Sequence, residues 1–97
     1  MRFEEKSGVP QYFTIHRAPG LQMDDFQSTA AELVSGKYAQ HVVTYANLTD
    51  GTIVNLFDAD AEGALVQEFE RLGLPYEEIH ECQITATTDD LRAMTAG

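Results

Sequence analysis

The sequence has no tryptophan, a single cysteine and only six basic residues among 97. One cysteine cannot form an internal disulfide, so we expect no disulfide partner and a cytoplasmic location. A formal net charge of −10 argues against nucleic acid, because binding phosphates requires lysine and arginine. The first eight residues lack the apolar core of a signal peptide, and no apolar run approaches the length of a membrane span. We therefore expect neither a nucleic-acid nor a membrane partner.

The length and the apolar fraction of 43% fit one small globular domain. Residues 1–9 are mostly polar or charged, and we expect them to form a flexible tail before a single domain over 10–97. A domain of this size buries only about 60–65% of its unfolded surface, so it is only modestly stable alone. Association with a second copy commonly adds stability to such domains.

Apolar periodicity divides the domain into four strands and two main helices. Period-two and apolar runs predict strands over 11–16, 40–46, 52–57 and 76–85. Apolar residues at spacings of three and four predict helices over 22–35 and 60–72, with Gly36 capping the first and Asp60 beginning the second. A short terminal helix is predicted over 89–94.

The most specific local pattern is Gly73-Leu74-Pro75, at the end of the second helix. Glycine accepts the left-handed conformation that ends many helices, leucine folds back on the last turn, and proline forbids continuation. Asp50-Gly51 similarly predicts a hairpin between the second and third strands.

The element order βαββαβ favours an α+β, ferredoxin-like fold, because each crossover must be right-handed. We expect a four-stranded antiparallel sheet in the order 4-1-3-2, with both helices on one face. Phe13, Ile15, Val54 and Leu56 are predicted to face the helices. The open face would then be too apolar for water, which predicts a homodimer of the dimeric α+β barrel type unless the C-terminal segment covers it. That face would carry Tyr12, Thr14, His16, His41, Val43, Tyr45, Ile53, Asn55 and Phe57.

Two groups of residues are candidates for chemistry. The end of the first strand lies beside the start of the fourth, which brings His16 near His80 and Glu81, with parity favouring Glu81. This grouping predicts a site for a first-row divalent metal, an acid–base pair, or a histidine with one ordinary hydrogen bond. Asn55 is a polar residue on a central strand and needs a partner, so it predicts a pocket or a contact across the dimer. The candidate ligand-binding residues are Tyr12, Thr14, Tyr45 and Asn55.

The sequence also resembles a family of small ferredoxin-like proteins, catalogued as a domain of unknown function, that includes an actinobacterial nickel-binding protein. The matching segments are Ile15-His16-Arg17, Thr44-Tyr45-Ala46-Asn47, Asp58-Ala59, Glu70 to Pro75 and Glu78 to Glu81. The resemblance implies a dimer and, in the nickel-binding branch, a metal held by histidines and acids. His16 falls where that branch has histidine, whereas Val43, Phe69 and Asn55 replace other residues of its metal-binding set.

Taken together, these patterns predict a small dimeric binding protein that holds a divalent transition metal, nickel first, or a small ligand between sheet faces. One alternative is a cofactor-free enzyme, an isomerase or monooxygenase of the same architecture, although no catalytic motif is present. The other alternative is an interaction module without a ligand.

Overall fold

The computed structural model of the chain describes residues 9–95 and confirms the predicted α+β class and element order. The predicted tail lies outside the described residues, except for residue 9. None of the described helices is long and apolar enough to cross a membrane. The elements are β1 (Gln11–Arg17), α1 (Met23–Leu33), β2 (Gln40–Asn47), β3 (Thr52–Asp58), α2 (Glu62–Leu72), β4 (Glu78–Cys82) and α3 (Thr88–Thr95).

The four strands form one antiparallel sheet in the order β2-β3-β1-β4, which is the predicted order viewed from the other edge. Thr14 at the centre of β1 lies opposite Asn55 in β3 and Ile79 in β4. The fourth strand is shorter than predicted, because pairing with β1 ends at Cys82.

The face of the sheet that packs against the helices carries the opposite set of residues from the predicted one. Tyr12 and Phe57 are buried with Leu33 of α1 and with Leu65 and Phe69 of α2. The Phe57 and Phe69 rings meet edge to face, with 5.5 Å between centroids. The prediction that Phe13, Ile15, Val54 and Leu56 face the helices is therefore wrong. A shift of one residue exchanges the two faces of a strand, and both parities of β1 carry an aromatic residue.

The opposite face of the sheet carries none of the residues that pack in the core with α1 and α2, and we call it the open face. The strand registers place Val43, Leu56, Phe13 and His80 in one row across it. The adjacent row contains Tyr45, Val54, Ile15 and Glu78. No residue of α3 is buried, so the apolar side chains of this helix do not form part of the core.

One of the predicted helix ends is confirmed by the structure, and two differ from it. Gly73 caps α2 in the left-handed conformation at φ 65°, and the N–H groups of Gly73 and Leu74 donate to carbonyls of the last turn, as predicted. The residue before α2 is Ala61 rather than Asp60. Val34 caps α1, so Gly36 lies two residues beyond the cap.

Gly63 inside α2 and Gly73 at its C-terminal cap provide a matched pair for testing the role of Gly73. A Cβ atom at Gly73 or at Gly63 would meet nothing within 4 Å, but only Gly73 has a positive φ. Gly73→Ala is therefore expected to lower the free energy of unfolding by about 1 kcal/mol. Gly63→Ala should raise it by up to about 1 kcal/mol, because alanine favours the helix. Urea denaturation measures both, and equal effects of the two substitutions would contradict the conformational explanation.

Candidate functional site

A cavity of about 70 Å³ lies between α1 and the sheet and is partly open to solvent. Phe26 and Leu33 of α1 form one side, and Ile53 of β3 and Leu74 from the Gly-Leu-Pro segment contribute to the rest. Apart from Thr29, whose hydroxyl donates to the Asp25 carbonyl, the polar lining comes from the sheet: His16 of β1 and Asn55 of β3. The cavity is thus mainly apolar, with a few polar groups, as is usual for small-molecule sites.

His16 is fixed by hydrogen bonds on both sides of its ring. Its side chain is only 4% exposed, and its edge meets the Phe69 ring with 5.2 Å between centroids. Nδ1 lies 2.9 Å from the Pro75 carbonyl oxygen, which can only accept, so Nδ1 carries the proton. Burial favours the neutral ring, so Nε2, 2.7 Å from the Thr14 hydroxyl, accepts a hydrogen bond from it. His16 is therefore a neutral, fully hydrogen-bonded side chain.

Burial lowers the pKa of His16 below the usual histidine value, and the hydrogen bond to the Pro75 carbonyl only partly opposes this shift. The unfolded chain, with a histidine pKa of about 6.5, therefore binds a proton more readily than the folded protein does. The contribution of His16 to the free energy of unfolding should be fully present above pH 6.5 and should be lost as the pH falls toward the folded pKa. The loss from this group is at most about 1.4 kcal/mol per pH unit. His16→Gln should flatten the slope measured by denaturation between pH 7 and 5.5. Equal slopes for the wild type and His16→Gln would contradict the assignment.

A chain of polar side chains runs from the edge strand to the cavity. His41 Nε2 lies 2.6 Å from the Thr44 hydroxyl oxygen, which lies 2.5 Å from Asn55 Oδ1. The amide oxygen can only accept, so Thr44 donates its single hydroxyl hydrogen to Asn55. Thr44 consequently accepts from His41, whose Nε2 carries the proton.

The amide nitrogen of Asn55 is the polar group that this chain leaves available. The residue is 2% exposed, and its Nδ2 has no hydrogen-bond partner among residues 9–95. By contrast, every side-chain nitrogen or oxygen atom of residues 9–95 that is fully buried has a hydrogen-bond partner. Nδ2 therefore keeps some accessible surface, and because Asn55 lines the cavity, we assign that surface to the cavity.

The other candidate ligand-binding residues are divided between the two faces of the sheet. Thr14 lies beside Asn55 on the helix-packed face and supports His16. Tyr12 lies on the same face within the hydrophobic core, where burial, and to a smaller extent the charge of Glu81, raise the pKa of its hydroxyl. Tyr45 lies on the open face and is 67% exposed. The structure thus places Thr14 and Asn55 at or next to the cavity and separates Tyr45 from it.

The three candidate metal ligands do not come together. Glu81 shares the face of His16, as parity indicated, but it lies opposite Tyr12, which is four residues along β1 from His16. His80 lies on the open face, where its ring stacks on Phe13 and its Nε2 is 2.7 Å from a Glu78 carboxylate oxygen. Among residues 9–95 no three His, Cys, Asp or Glu side chains are grouped so that they could hold a metal ion. Since both ring nitrogens of His16 are also occupied, these residues do not fit a shared metal.

Sequence reasoning did not identify several residues of the site. Phe26 and Leu33 belong to the apolar stripe of α1, which indicated a core face without indicating a cavity. Leu74 was interpreted only as part of a helix end. Thr44 and His41 were not connected with Asn55, because a β-bulge between His41 and Val43 changes the alternation of β2.

Comparison with known proteins identifies the fold but no function. No protein-family model matches this sequence. No curated protein matches it either. The crystal structure of SCO4226 from Streptomyces coelicolor A3(2) is similar, with a TM-score of 0.70 and 22% sequence identity, covering 78% of this chain and 99% of that one. At this identity the similarity shows the ferredoxin-like α+β fold alone, and membership of the family suggested by the sequence stays a prediction.

Proposed function

We propose that this protein is a homodimeric binding protein that holds a small neutral molecule in the cavity between α1 and the sheet. The observation that carries the proposal is the Asn55 amide, buried but without an acceptor among the described residues, at a mainly apolar cavity. Because Nδ2 keeps some accessible surface at the cavity, it can donate a hydrogen bond to a ligand that has a suitable acceptor.

The electrostatics of the cavity favour a neutral ligand. No acidic or basic side chain other than the neutral His16 lines it. Placing an ion against this apolar lining would carry a large desolvation cost without a partner charge. The formal net charge of −10 also disfavours anions at long range. A volume of about 70 Å³ holds several waters or a small organic group, so a larger ligand would extend through the opening.

The open face supports association with a second copy of the chain. Its central rows contain Phe13, Ile15, Val54 and Leu56, all half-buried in the single chain, and charged groups lie toward the edges. Four strands of about seven residues span on the order of 19 by 23 Å, or about 400 Å² before side-chain relief is counted. That area is about half of the roughly 800 Å² per partner of a standard interface, so side-chain relief and the strand edges must supply the rest. A second copy is the partner that fits this face best. Its own open face has an equally apolar and uncharged centre, although the protein as a whole is acidic.

Binding is favoured over catalysis by the state of the polar groups. An acid–base enzyme needs a titratable side chain that can reach its substrate. His16 uses both nitrogens within the fold, and the amide of Asn55 does not titrate in the physiological range. We also retain a cytoplasmic location as a proposal, based on the single cysteine.

The proposal is tested by titrating the ¹⁵N-labelled protein with cyclopentanone and following amide resonances by NMR. We expect saturable shifts of the Asn55 side-chain amide and of backbone amides near Phe26 and Ile53. Thr29→Phe should reduce binding at least tenfold, because residue 29 lines the cavity. Ser28→Phe, one residue away and exposed, is the matched control and should bind normally. Absence of saturable shifts, or shifts confined to the open face, would contradict the proposal.

A further inference from the structure

We infer that the cavity selects ligands carrying a hydrogen-bond acceptor, such as a carbonyl oxygen, and that Thr44 and His41 enforce this preference by fixing the orientation of the Asn55 amide. This inference rests on the proposed ligand site and specifies the chemical class of its ligand.

An asparagine side chain can present either a donor or an acceptor, depending on the rotation of its amide by half a turn. At Asn55 the two ends of the amide have different surroundings. Oδ1 accepts from the Thr44 hydroxyl, and Nδ2 has no acceptor among residues 9–95. The structure therefore presents the NH₂ end to the cavity.

The direction of the polar chain and the orientation of the Asn55 amide are coupled, so each fixes the other. With Nε2–H of His41 donating to Thr44, the threonine hydroxyl hydrogen is directed to Asn55 Oδ1. The reverse arrangement would need an unprotonated His41 Nε2 and would place the Asn55 carbonyl at the cavity. The edge-to-face contact between the rings of His41 and Phe57, 5.5 Å between centroids, holds His41 in position. Thr44 and His41 are thus positioning residues that lie behind Asn55.

The geometry predicts a difference between three small ring compounds of similar size. Cyclopentanone offers an acceptor, pyrrole offers an N–H donor, and cyclopentene offers neither. One additional net hydrogen bond corresponds to about 3- to 10-fold in affinity. We therefore expect cyclopentanone to bind about fivefold tighter than cyclopentene and pyrrole, which should bind about equally.

Thr44→Val tests the orienting role, because valine keeps the shape of threonine and removes the hydroxyl. Without its donor, Asn55 Oδ1 becomes available to the ligand, and the amide can turn to suit either probe. The preference for cyclopentanone over pyrrole should then fall from about fivefold to less than twofold. Thr52→Val, a threonine on the same sheet outside the cavity lining, should leave the preference unchanged.

His41→Phe provides a second route to the same result if the Thr44 variant does not fold. Phenylalanine can retain the ring contact with Phe57 but cannot donate to Thr44, so the direction of the chain is no longer imposed. We expect the preference for cyclopentanone over pyrrole to fall in this variant too, with a smaller shift of the Asn55 side-chain amide on ketone binding.

NMR titration of the wild-type protein and the three variants separates the outcomes. A cyclopentanone preference in the wild type that is lost in Thr44→Val or His41→Phe supports the inference. Binding of all three probes with equal affinity, a preference for pyrrole, or a preference that persists in both variants overturns the inference and leaves the proposed function standing. Absence of binding by all three probes overturns the proposed function, and this inference with it.

Discussion

Replacing Glu68 with alanine is expected to lower the free energy of unfolding by about 3 kcal/mol. Glu68 does not line the proposed ligand cavity, so this effect concerns the fold alone. Glu68 is only 1% exposed, and its carboxylate accepts hydrogen bonds from the backbone N–H groups of Lys37 and Tyr38 and from the Arg71 side chain. The carboxylate thus joins α2 to the loop before β2. Alanine would leave the two N–H groups and the guanidinium without this partner.

Glu70→Ala is the matched control, because Glu70 is an exposed glutamate on the same helix. Urea denaturation at pH 7 should show a change below about 0.5 kcal/mol for Glu70→Ala. Burial acts to raise the pKa of Glu68, but the hydrogen bonds from Arg71, Tyr38 and Lys37 outweigh it and lower the pKa. The contribution of Glu68 should therefore be full above its unfolded pKa and be lost as pH falls through the lower folded value. A loss below 1 kcal/mol for Glu68→Ala would contradict this role.

Replacing Phe13 with aspartate should convert the proposed dimer into a monomer. Phe13 lies in the central row of the open face, between Leu56 and His80, so a charge there would be buried without a partner. We expect association to weaken at least 100-fold, as measured by analytical ultracentrifugation over a range of protein concentrations.

Val34→Asp is the control for the open-face substitution, because Val34 is 76% exposed at the end of α1, on an element that packs on the opposite face of the sheet. This variant should dimerise as the wild type does. A wild-type protein that remains a 10.8 kDa monomer at all concentrations would contradict the proposed interface.

Much of the fold follows from local patterns in the sequence. Gly73-Leu74-Pro75 ends α2 where predicted, and Asp50-Gly51 lies in the hairpin between β2 and β3. Such turns depend on backbone preferences of single residues, which a sequence displays directly. With these boundaries placed, the handedness of the crossovers leaves few possible topologies.

The assignment of sheet faces failed because the buried face of this sheet is partly polar. Alternate residues of β1 lie on opposite faces of the sheet. The sequence predicts that the residues sharing a face with Thr14 and His16 lie on the open face. Both side chains are buried and hydrogen-bond to each other, and His16 also donates to the Pro75 carbonyl, a partner 59 residues away in sequence. Local periodicity does not contain such long-range partners.

The candidate site was predicted only in part. Asn55 was identified from chemistry, since a polar residue on a central strand needs a partner. Its partner Thr44 and the next residue in the chain, His41, share a face only because of the bulge in β2. Strict alternation would place residues three apart on opposite faces. Parity correctly places Glu81 on the face of His16 and His80 on the other face, because one residue of register decides which face a side chain occupies.

The most direct test of ligand binding beneath α1 is a crystal structure of the protein grown with cyclopentanone. We expect the ligand between α1 and the strands β1 and β3, with its carbonyl oxygen within hydrogen-bond distance of Asn55 Nδ2. A ligand seated between the open faces of two protomers, or a cavity left empty while cyclopentanone binds elsewhere, would contradict the proposed site.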